Sequence, residues 1–360
     1  MTVISDDPSQ WSSIYLYNFH SYFIVAASAA IVYDWALALG QEVELIWKRR
    51  WSLMTFLYLS VRYAALPYVV IFMLITLPTV SVADAGYVIF SIDVISIMTA
   101  TAVSNILFLA LNWLNVVITA LLGIIMIVRL HAMYQRSRKM LIFLVAIFLG
   151  ITIACVGITA TGTSHTIGEE FILAGTYQCN YDYEGDARIL NSMTWVLCTL
   201  WEVLSLCLAV WIAVGHFREL RRPLRTTTIG DCLTAVIKSH VVYFASFAVG
   251  SCFALGFLSP KLMNSNSVGT LTYHGILDVL SVVQMFVLGP RLILSVREYN
   301  AKAVVDFNTG TRMTSLIFQS HYLSDTLQEN FVLSFVVIGR FIMDAELDVN
   351  STMCRVEALF

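Results

Sequence analysis

The chain has 360 residues, of which 58% are apolar and only 12% are charged, and its mean hydropathy is +0.78. Soluble domains carry about 25% charged residues, so this chain has too few polar side chains to cover a surface that faces water. The composition therefore argues against a soluble globular class and favours a protein that lies largely in a lipid bilayer. The net charge of −3 carries no information about partners, because the charges are segregated along the chain. No basic patch with interleaved aromatic residues occurs outside the membrane-flanking loops, which argues against nucleic-acid binding.

The order of apolar segments predicts the fold. A helix needs about 20 apolar residues to cross the hydrocarbon core, and its backbone groups must hydrogen-bond within the segment. Seven runs satisfy this requirement and predict an all-α bundle of seven transmembrane helices, within a membrane domain over 19–297 that separates an N-terminal segment 1–18 from a tail 298–360. The runs cover about 19–39, 53–77, 106–128, 141–161, 191–214, 238–258 and 274–294.

The distribution of basic residues predicts the orientation. Of the 21 Lys and Arg residues, all but Arg62, Arg188 and Lys261 lie in the first, third and fifth links between the predicted spans, at the span ends that adjoin these links, or from Arg291 at the end of the seventh span onward. Cytosolic loops carry the excess of Lys and Arg, so we expect the N-terminus outside and the tail in the cytosol, in the plasma membrane or an endomembrane. No basic n-region precedes the first span, which is therefore expected to act as its own targeting signal.

Basic residues at the predicted cytosolic surface are candidates for binding a cytosolic protein partner. Arg129 stands at the inner end of the third span, where rhodopsin-like receptors carry a gating arginine, although an orienting charge is the commoner meaning. The candidates follow the third and fifth spans and are Arg129, Arg136, Arg138, Lys139, Arg218, Arg221 and Arg222.

The first cytosolic link contains a short amphipathic segment. Val43, Ile46, Trp47 and Trp51 recur at helical spacing, while Glu44 and other polar residues take the opposite side. This pattern is typical of a short helix in the headgroup region with tryptophans at the interface. A solvated turn with orienting charges is the alternative interpretation.

Several motifs along the chain resemble those of a known family. The first combines Tyr33-Asp34, "EVELIW" and Arg62-Tyr63 within residues 22–66, and the later motifs are "RLHAMYQRSRKM", "WEVLSLCLAVWIAVGHFRELRR" and "GPRLILSVREYNAK". Together they resemble a fungal family of multi-span integral membrane proteins whose N-terminal signature region is a domain of unknown function. The resemblance implies a multi-span membrane fold and no activity.

Asp34 and Arg62 are the sharpest pair of candidate functional residues. Both are expected in the cytosolic half of the first two spans, which are neighbours in a hairpin. Either charge alone at the bilayer centre would cost about 2.5–3.5 kcal/mol, so the sequence predicts an intramembrane ion pair. The pair would either lock the hairpin or act as a switch that opens on activation.

Other polar residues within the predicted spans are candidates for a ligand or ion site. Glu202 lies near the middle of the fifth span, and it is either a cation, proton or counter-ion site or a protonated acid hydrogen-bonded to a neighbouring helix. His274 and Asp278 lie near the outer end of the seventh span, where solvation explains them. Asn112 and Asn115 share a face of the third span and either bond a neighbouring helix or line a polar path.

The catalytic motifs of soluble enzymes are absent from the sequence. No P-loop, G-x-S-x-G, H-E-x-x-H or G-x-G-x-x-G motif and no C-x-x-C pair occurs, so we expect no enzyme activity, cofactor or metal. The leading hypothesis is a receptor-like or sensory seven-helix protein with an unknown ligand. A small-solute or proton transporter that uses Glu202 is the alternative, and a membrane-bound metal-dependent hydrolase ranks last.

Overall fold

A computed structural model describes most of the membrane domain. The described residues are 2–5, 11–48, 51–77, 100–134, 136–164, 166–173, 176–183, 187–220, 244–256, 268–294 and 297. The tail 298–360 and most of residues 80–105, which link the second and third predicted spans, lie outside this set. So do Arg221 and Arg222, and of Arg218 only the backbone, in the last turn of a helix, is described.

Helices form almost all of the described structure. Six of them are long and apolar enough to cross a membrane, whereas a seventh apolar helix, Phe244–Leu255, is shorter as described. The helices are α1 (Trp11–Glu42), α2 (Leu53–Thr76), α3 (Ala100–Met133), α4 (Arg138–Ser164), α5 (Ala187–Leu220), α6 (Phe244–Leu255) and α7, which runs from Val268 to Val283 and continues through a π-helical turn to Leu294. The prediction of a helical membrane protein is therefore confirmed at this level.

Consecutive helices run in opposite directions. Tyr17 at the start of α1 donates to the carbonyl of Ile75 at the end of α2, and α4 meets α5 through Phe148 against Trp201, followed by Cys155 beside Cys198. The link between α3 and α4 is short, so these two helices also form a hairpin.

The last two helices continue this alternation. Gln284 of α7 bonds the carbonyl of Phe247 in α6, whereas Tyr273 stacks on Phe253, so α6 and α7 are antiparallel. In contrast, α7 runs parallel to α1, because α1 meets it first through His20 and Asp278 and later through Asp34 and Arg291.

The two ends of the bundle differ in character. The basic end, as we name it, holds Lys48, Arg136, Arg138, Lys139 and Arg297, together with the α1–α2 and α3–α4 links. We name the opposite end the sheet end, because three strands adjoin the helix ends there. One strand precedes α1, and the other two lie between α4 and α5.

The strands are an addition to the all-α prediction. The sheet has the order β1 (Thr2–Ser5), β2 (Thr166–Leu173), β3 (Thr176–Tyr183). The pairing of β1 with β2 is parallel, with Thr2 opposite Glu170, and that of β2 with β3 is antiparallel, with Thr166 opposite Tyr183.

The described residues of the link between α1 and α2 do not form the separate interfacial helix that the sequence pattern predicts. Instead α1 continues through a π-helical turn, Val43–Trp47, and ends there. Ile46 of this turn is buried, while Trp47 is 53% exposed. Ser52 then begins α2 with a capping box, in which its side chain and that of Thr55 satisfy each other's backbone N–H groups.

The core of the bundle follows α7 and the helices around it. Phe23 of α1 lies directly over Gly275 of α7, where any larger side chain would overlap its ring, and Leu122 of α3 covers Gly289 in the same way. Between these two points α7 forms a second π-helical turn, Gln284–Leu288, whose Phe286 packs on Tyr68 of α2. The described part of α7 thus contacts α1, α2, α3 and α6.

Candidate functional site

A cluster of buried charges lies at the basic end of the bundle, between α1, α2 and α7. It contains two carboxylates, Asp34 and Glu42 of α1, and two guanidinium groups, Arg62 of α2 and Arg291 of α7. Asp34, Glu42 and Arg62 are 4%, 0% and 2% exposed. These four residues are called the charge cluster below.

Arg62 is held by contacts to both carboxylates and to the backbone of α1. Its Nε donates to Glu42 Oε2 at 2.7 Å, its Nη1 lies 3.5 Å from Asp34 Oδ2, and its Nη2 donates to the carbonyl of Trp35 at 2.8 Å. The guanidinium also lies over the ring of Tyr58, 5.8 Å from its centroid. The sequence paired Arg62 with Asp34, but the structure gives it a closer partner in Glu42.

Glu42 accepts hydrogen bonds from several surrounding side chains. Tyr58 donates to Oε2 at 3.3 Å, and Tyr63 and Trp47 each donate to Oε1 at 3.1 Å. Together with Arg62, these donors satisfy a carboxylate that is fully removed from solvent. The π-helical turn after Glu42 carries Trp47, so the irregular end of α1 supplies one of these donors.

Asp34 connects the hairpin to α7. Arg291 donates to Asp34 Oδ1, with both Nε and Nη2 at 2.6 Å. Six residues further along, Arg297 donates to the carbonyl of Leu45 at 3.0 Å and to the hydroxyl groups of Ser52 and Thr55 at 2.9 and 2.6 Å. Two arginines from the end of α7 thus hold the α1–α2 link.

The charge cluster is neutral as a unit, which explains how it is tolerated. Removing a charge from water costs several kcal/mol, and attraction offsets this only when the geometry is good and the remaining donors and acceptors are satisfied. Two carboxylates and two guanidinium groups meet this condition here, because each carboxylate receives at least one charge-assisted hydrogen bond shorter than 2.8 Å.

A second polar cluster lies deeper in the bundle, between α5, α6 and α7. Glu202 accepts a hydrogen bond from the hydroxyl of Ser251 and another, at 3.3 Å, from the side-chain amide of Gln284. Thr199, one turn earlier on α5, donates to the carbonyl of Ser251 at 3.4 Å. No Lys, Arg or His of the described part of the chain forms an ion pair with Glu202.

The same helix joins the two clusters. Gln284 is the first residue of the π-helical turn of α7, and Arg291 lies three residues beyond its end. At 1.5 Å per residue, the two side chains are about 10 Å apart along the axis. π-helical turns are frequent at functional sites.

The other candidates lie in varied surroundings. Asn112 bonds the carbonyl of Phe108 in its own helix at 2.9 Å, and Asn115 Oδ1 is buried without a hydrogen bond among the described residues. Arg129 is buried and donates to the carbonyl of Leu292 on α7 at 3.3 Å, so it contacts a helix and is not presented at the surface.

The basic residues of the α3–α4 link are accessible. Arg136, in a left-handed conformation with φ 61°, and the neighbouring Arg138 and Lys139 are all exposed. Asp278 and His274 are both partly buried, and Asp278 contacts His20 of α1, a partner that the sequence analysis did not identify.

Sequence reasoning missed the residues that complete both clusters. Glu42 lies eight residues after Asp34, which is close to two helical turns, so a longer first helix would have placed both on one face. Arg291 and Arg297 were counted only as orienting charges, and Gln284 carried no signal beyond its polarity. Among the described residues no three His, Cys, Asp or Glu side chains converge as metal ligands.

Comparison with known proteins adds a family match for the hairpin. Residues 22–67 match a family of unknown function, DUF6533. This segment contains Asp34, Glu42 and Arg62, so it corresponds to the α1–α2 hairpin and three of the four charges. No curated protein and no solved structure matches the chain. The protein is thus a multi-pass membrane protein with an N-terminal domain of unknown function.

Removing Arg62 tests how the charges are paired. In Arg62→Met, Asp34 keeps Arg291, whereas Glu42 loses its cation, so we expect a loss of about 3–5 kcal/mol in the free energy of unfolding. Adding Glu42→Gln should recover more of this stability than adding Asp34→Asn. Thermal unfolding of the purified protein in detergent measures both effects.

The exposed Arg138→Gln is the matched control and should change stability by no more than about 0.5 kcal/mol. Equal recovery by the two second substitutions would contradict the assignment of Glu42 as the principal partner of Arg62.

Proposed function

We propose that this protein is a receptor-like seven-helix membrane protein, with its N-terminus and sheet end outside and its basic end in the cytosol. An unidentified ligand would act from the outer side, and a cytosolic protein partner would bind the basic loops. The proposal includes no catalytic step, cofactor or nucleic acid. It places the protein in the plasma membrane or an endomembrane and within the fungal family that its sequence resembles.

The directions of the helices support seven crossings. The α3 helix runs parallel to α7, since Leu122 lies against Gly289 and Arg129 against Leu292. Because α3, α4 and α5 alternate, α5 is also parallel to α7. The chain must therefore return across the bundle between them, and α6, antiparallel to α7, lies on that path.

The observation that carries the receptor proposal is the path along α7. This helix contacts Glu202 through Gln284 and Asp34 through Arg291, and a π-helical turn separates the two contacts. A change around Glu202 that moves or rewinds this turn would shift Arg291 relative to the hairpin. Coupling between two distant sites requires a structural element that can adopt two arrangements. The π-helical turn of α7, between its two polar contacts, can be such an element.

The basic end offers a surface that such a movement would reach. Arg291 bonds Asp34 of α1, Arg297 bonds the α1–α2 link, and Arg129 joins the end of α3 to the backbone of α7. The exposed Arg138 and Lys139 follow directly in the next helix. We infer that the position of α7 determines how these basic groups are presented to a partner.

A second candidate, a proton or small-solute transporter, is favoured by Glu202. Its carboxylate lies inside the bundle with two neutral hydrogen-bond donors and, among the described residues, no ion-pair partner. Intramembrane acids of this kind often mark proton or ion paths. In this hypothesis, a proton or a cation would balance the charge of Glu202 during transport.

The orientation is tested with epitope tags in intact cells. A tag before Met1 should be accessible to antibody without permeabilisation if the protein is at the cell surface, and a tag after Phe360 only after permeabilisation. In sealed organelle membranes the same pair is compared by protease protection. Equal accessibility of the two tags would contradict an odd number of crossings.

Coupling through α7 is tested by hydrogen exchange. In Gln284→Leu the contact with Glu202 is lost, so amides of residues 43–48, next to the charge cluster, should exchange about fivefold faster or more, the usual range for coupled sites. The matched control is Asn112→Ala, because among the described residues the Asn112 side chain bonds only the carbonyl of Phe108 in its own helix. An effect of Gln284→Leu confined to its surroundings would remove the support for coupling.

Transport is tested in proteoliposomes that contain a pH-sensitive dye. The receptor proposal predicts that the wild-type protein gives no proton flux above that of empty vesicles under an imposed gradient. Flux by the wild type that is lost in Glu202→Gln would establish the transporter hypothesis instead. Glu202→Gln keeps the shape of the side chain and its ability to bond Ser251, which limits the change to the ionisable group.

A further inference from the structure

A histidine and a carboxylate join α1 and α7 near the sheet end of the bundle. His20 Nε2 lies 2.9 Å from Asp278 Oδ2, and the two side chains are 24% and 39% exposed. Both groups therefore lie within reach of water while they contact each other. The pair is distinct from the charge cluster, which lies about four to six turns further along α1.

Two other titratable groups face this pair among the described residues. His274, one turn before Asp278 on α7, interacts electrostatically with both Asp278 and His20. Tyr68 of α2 also faces Asp278. The sequence analysis expected plain solvation here, whereas the described structure gives Asp278 a direct partner in His20.

The site lies next to a close contact between α1 and α7. Phe23, one turn after His20, covers Gly275, one turn before Asp278, and a larger residue at 275 would not fit. A change in the force between His20 and Asp278 therefore acts on two helices that are already in van der Waals contact. The same α7 continues to Gln284 and Arg291.

We propose that His20 and Asp278 form a proton-binding site, and that the hydrogen ion is the ligand class to which this end of the bundle responds. Histidine is the side chain that ordinarily changes charge between pH 5 and 8. Protonated His20 attracts the Asp278 carboxylate and pulls α1 and α7 together, whereas neutral His20 retains only a hydrogen bond. His274 lies one turn before Asp278, and a positive charge on it would repel protonated His20 and oppose the effect.

The proton site extends the proposed receptor function, on which it rests, because it names the signal that would act on α7. Proton binding at the site is measured by itself, so its test does not depend on whether the protein signals. A proton bound at this site would be sensed from the side of the membrane on which the sheet end lies. The chemistry needs no co-reactant, since only a proton is gained or lost.

A double-mutant cycle at two pH values tests the site in the purified full-length protein. The variants are His20→Gln, Asp278→Asn and their combination, and the readout is the Tm in detergent or nanodiscs. The interaction between the two positions should be larger near pH 5.5 than near pH 8 by about 2 °C or more. An equal interaction at both pH values, or none at either, overturns the proposal.

Two further variants keep the experiment decisive. His131→Gln, at the basic end, is the matched control and should leave the pH dependence of Tm unchanged. If Asp278→Asn does not fold, His20→Gln alone should still flatten the pH dependence of Tm relative to the wild type. If His274→Gln abolishes the pH dependence of Tm although His20 is still present, the assignment of the proton site to His20 is wrong.

Discussion

The contact of Arg62 with Glu42 and that of Arg291 with Asp34 neutralise four charges inside the helix bundle. None of these groups could stay in its place alone, because an uncompensated buried charge costs several kcal/mol. The α1–α2 hairpin therefore depends on the contacts of its own Arg62 with Glu42 and Asp34. It also depends on the contact of Arg291, from α7, with Asp34. This requirement ties the packing of α7 to that of the first two helices.

The rest of the basic end follows from that dependence. Once Arg291 holds Asp34, the next turns of α7 bring Arg297 onto Ser52 and Thr55, which also form the cap of α2. Arg129 then bonds the same stretch of α7 from α3. The irregular turns at the end of α1 and within α7 both adjoin these contacts, so the backbone departs from regular α-helix where polar groups must be satisfied.

The segment with a family match gains a physical interpretation from this arrangement. Residues 22–67 form a helical hairpin whose polar residues point at each other and at α7. A short matched segment of unknown function thus marks the docking site for the last helix. The matched segment therefore has a structural role, because it holds α7 in place. The contacts of Gln284 with Glu202 and of Arg291 with Asp34 are the basis for the additional signalling role that we propose.

Much of the fold was accessible from the sequence, because hydrophobic length is a local property. Six predicted spans coincide with membrane-length helices, and the match over 22–67 covers the predicted signature region. The sixth predicted span is described only as Phe244–Leu255, and the strands of the sheet end were not anticipated. Short strands carry a weak signal in a polar loop, and their pairing joins the N-terminus to a segment more than 160 residues away.

The candidate sites were only partly accessible. Asp34, Arg62 and Glu202 were found because a charge within an apolar run is conspicuous by itself. The contact between Asp34 and Arg62 was predicted, but their closer partners and those of Glu202 were not found. Glu42 lay just past the expected end of the first span, and Arg291 and Gln284 lie on a helix that is distant in sequence. The same distance separates Asp278 from its partner His20.

The sequence by itself determined that this chain is a multi-pass helical membrane protein, because apolar length and the scarcity of charge act within each segment. Only the tertiary structure decided which charge neutralises which. Ion pairs and hydrogen bonds between helices depend on relative position and rotation, and these are set by packing such as that of Phe23 on Gly275. The charge cluster, the Glu202 contacts and the His20–Asp278 pair all belong to that second level.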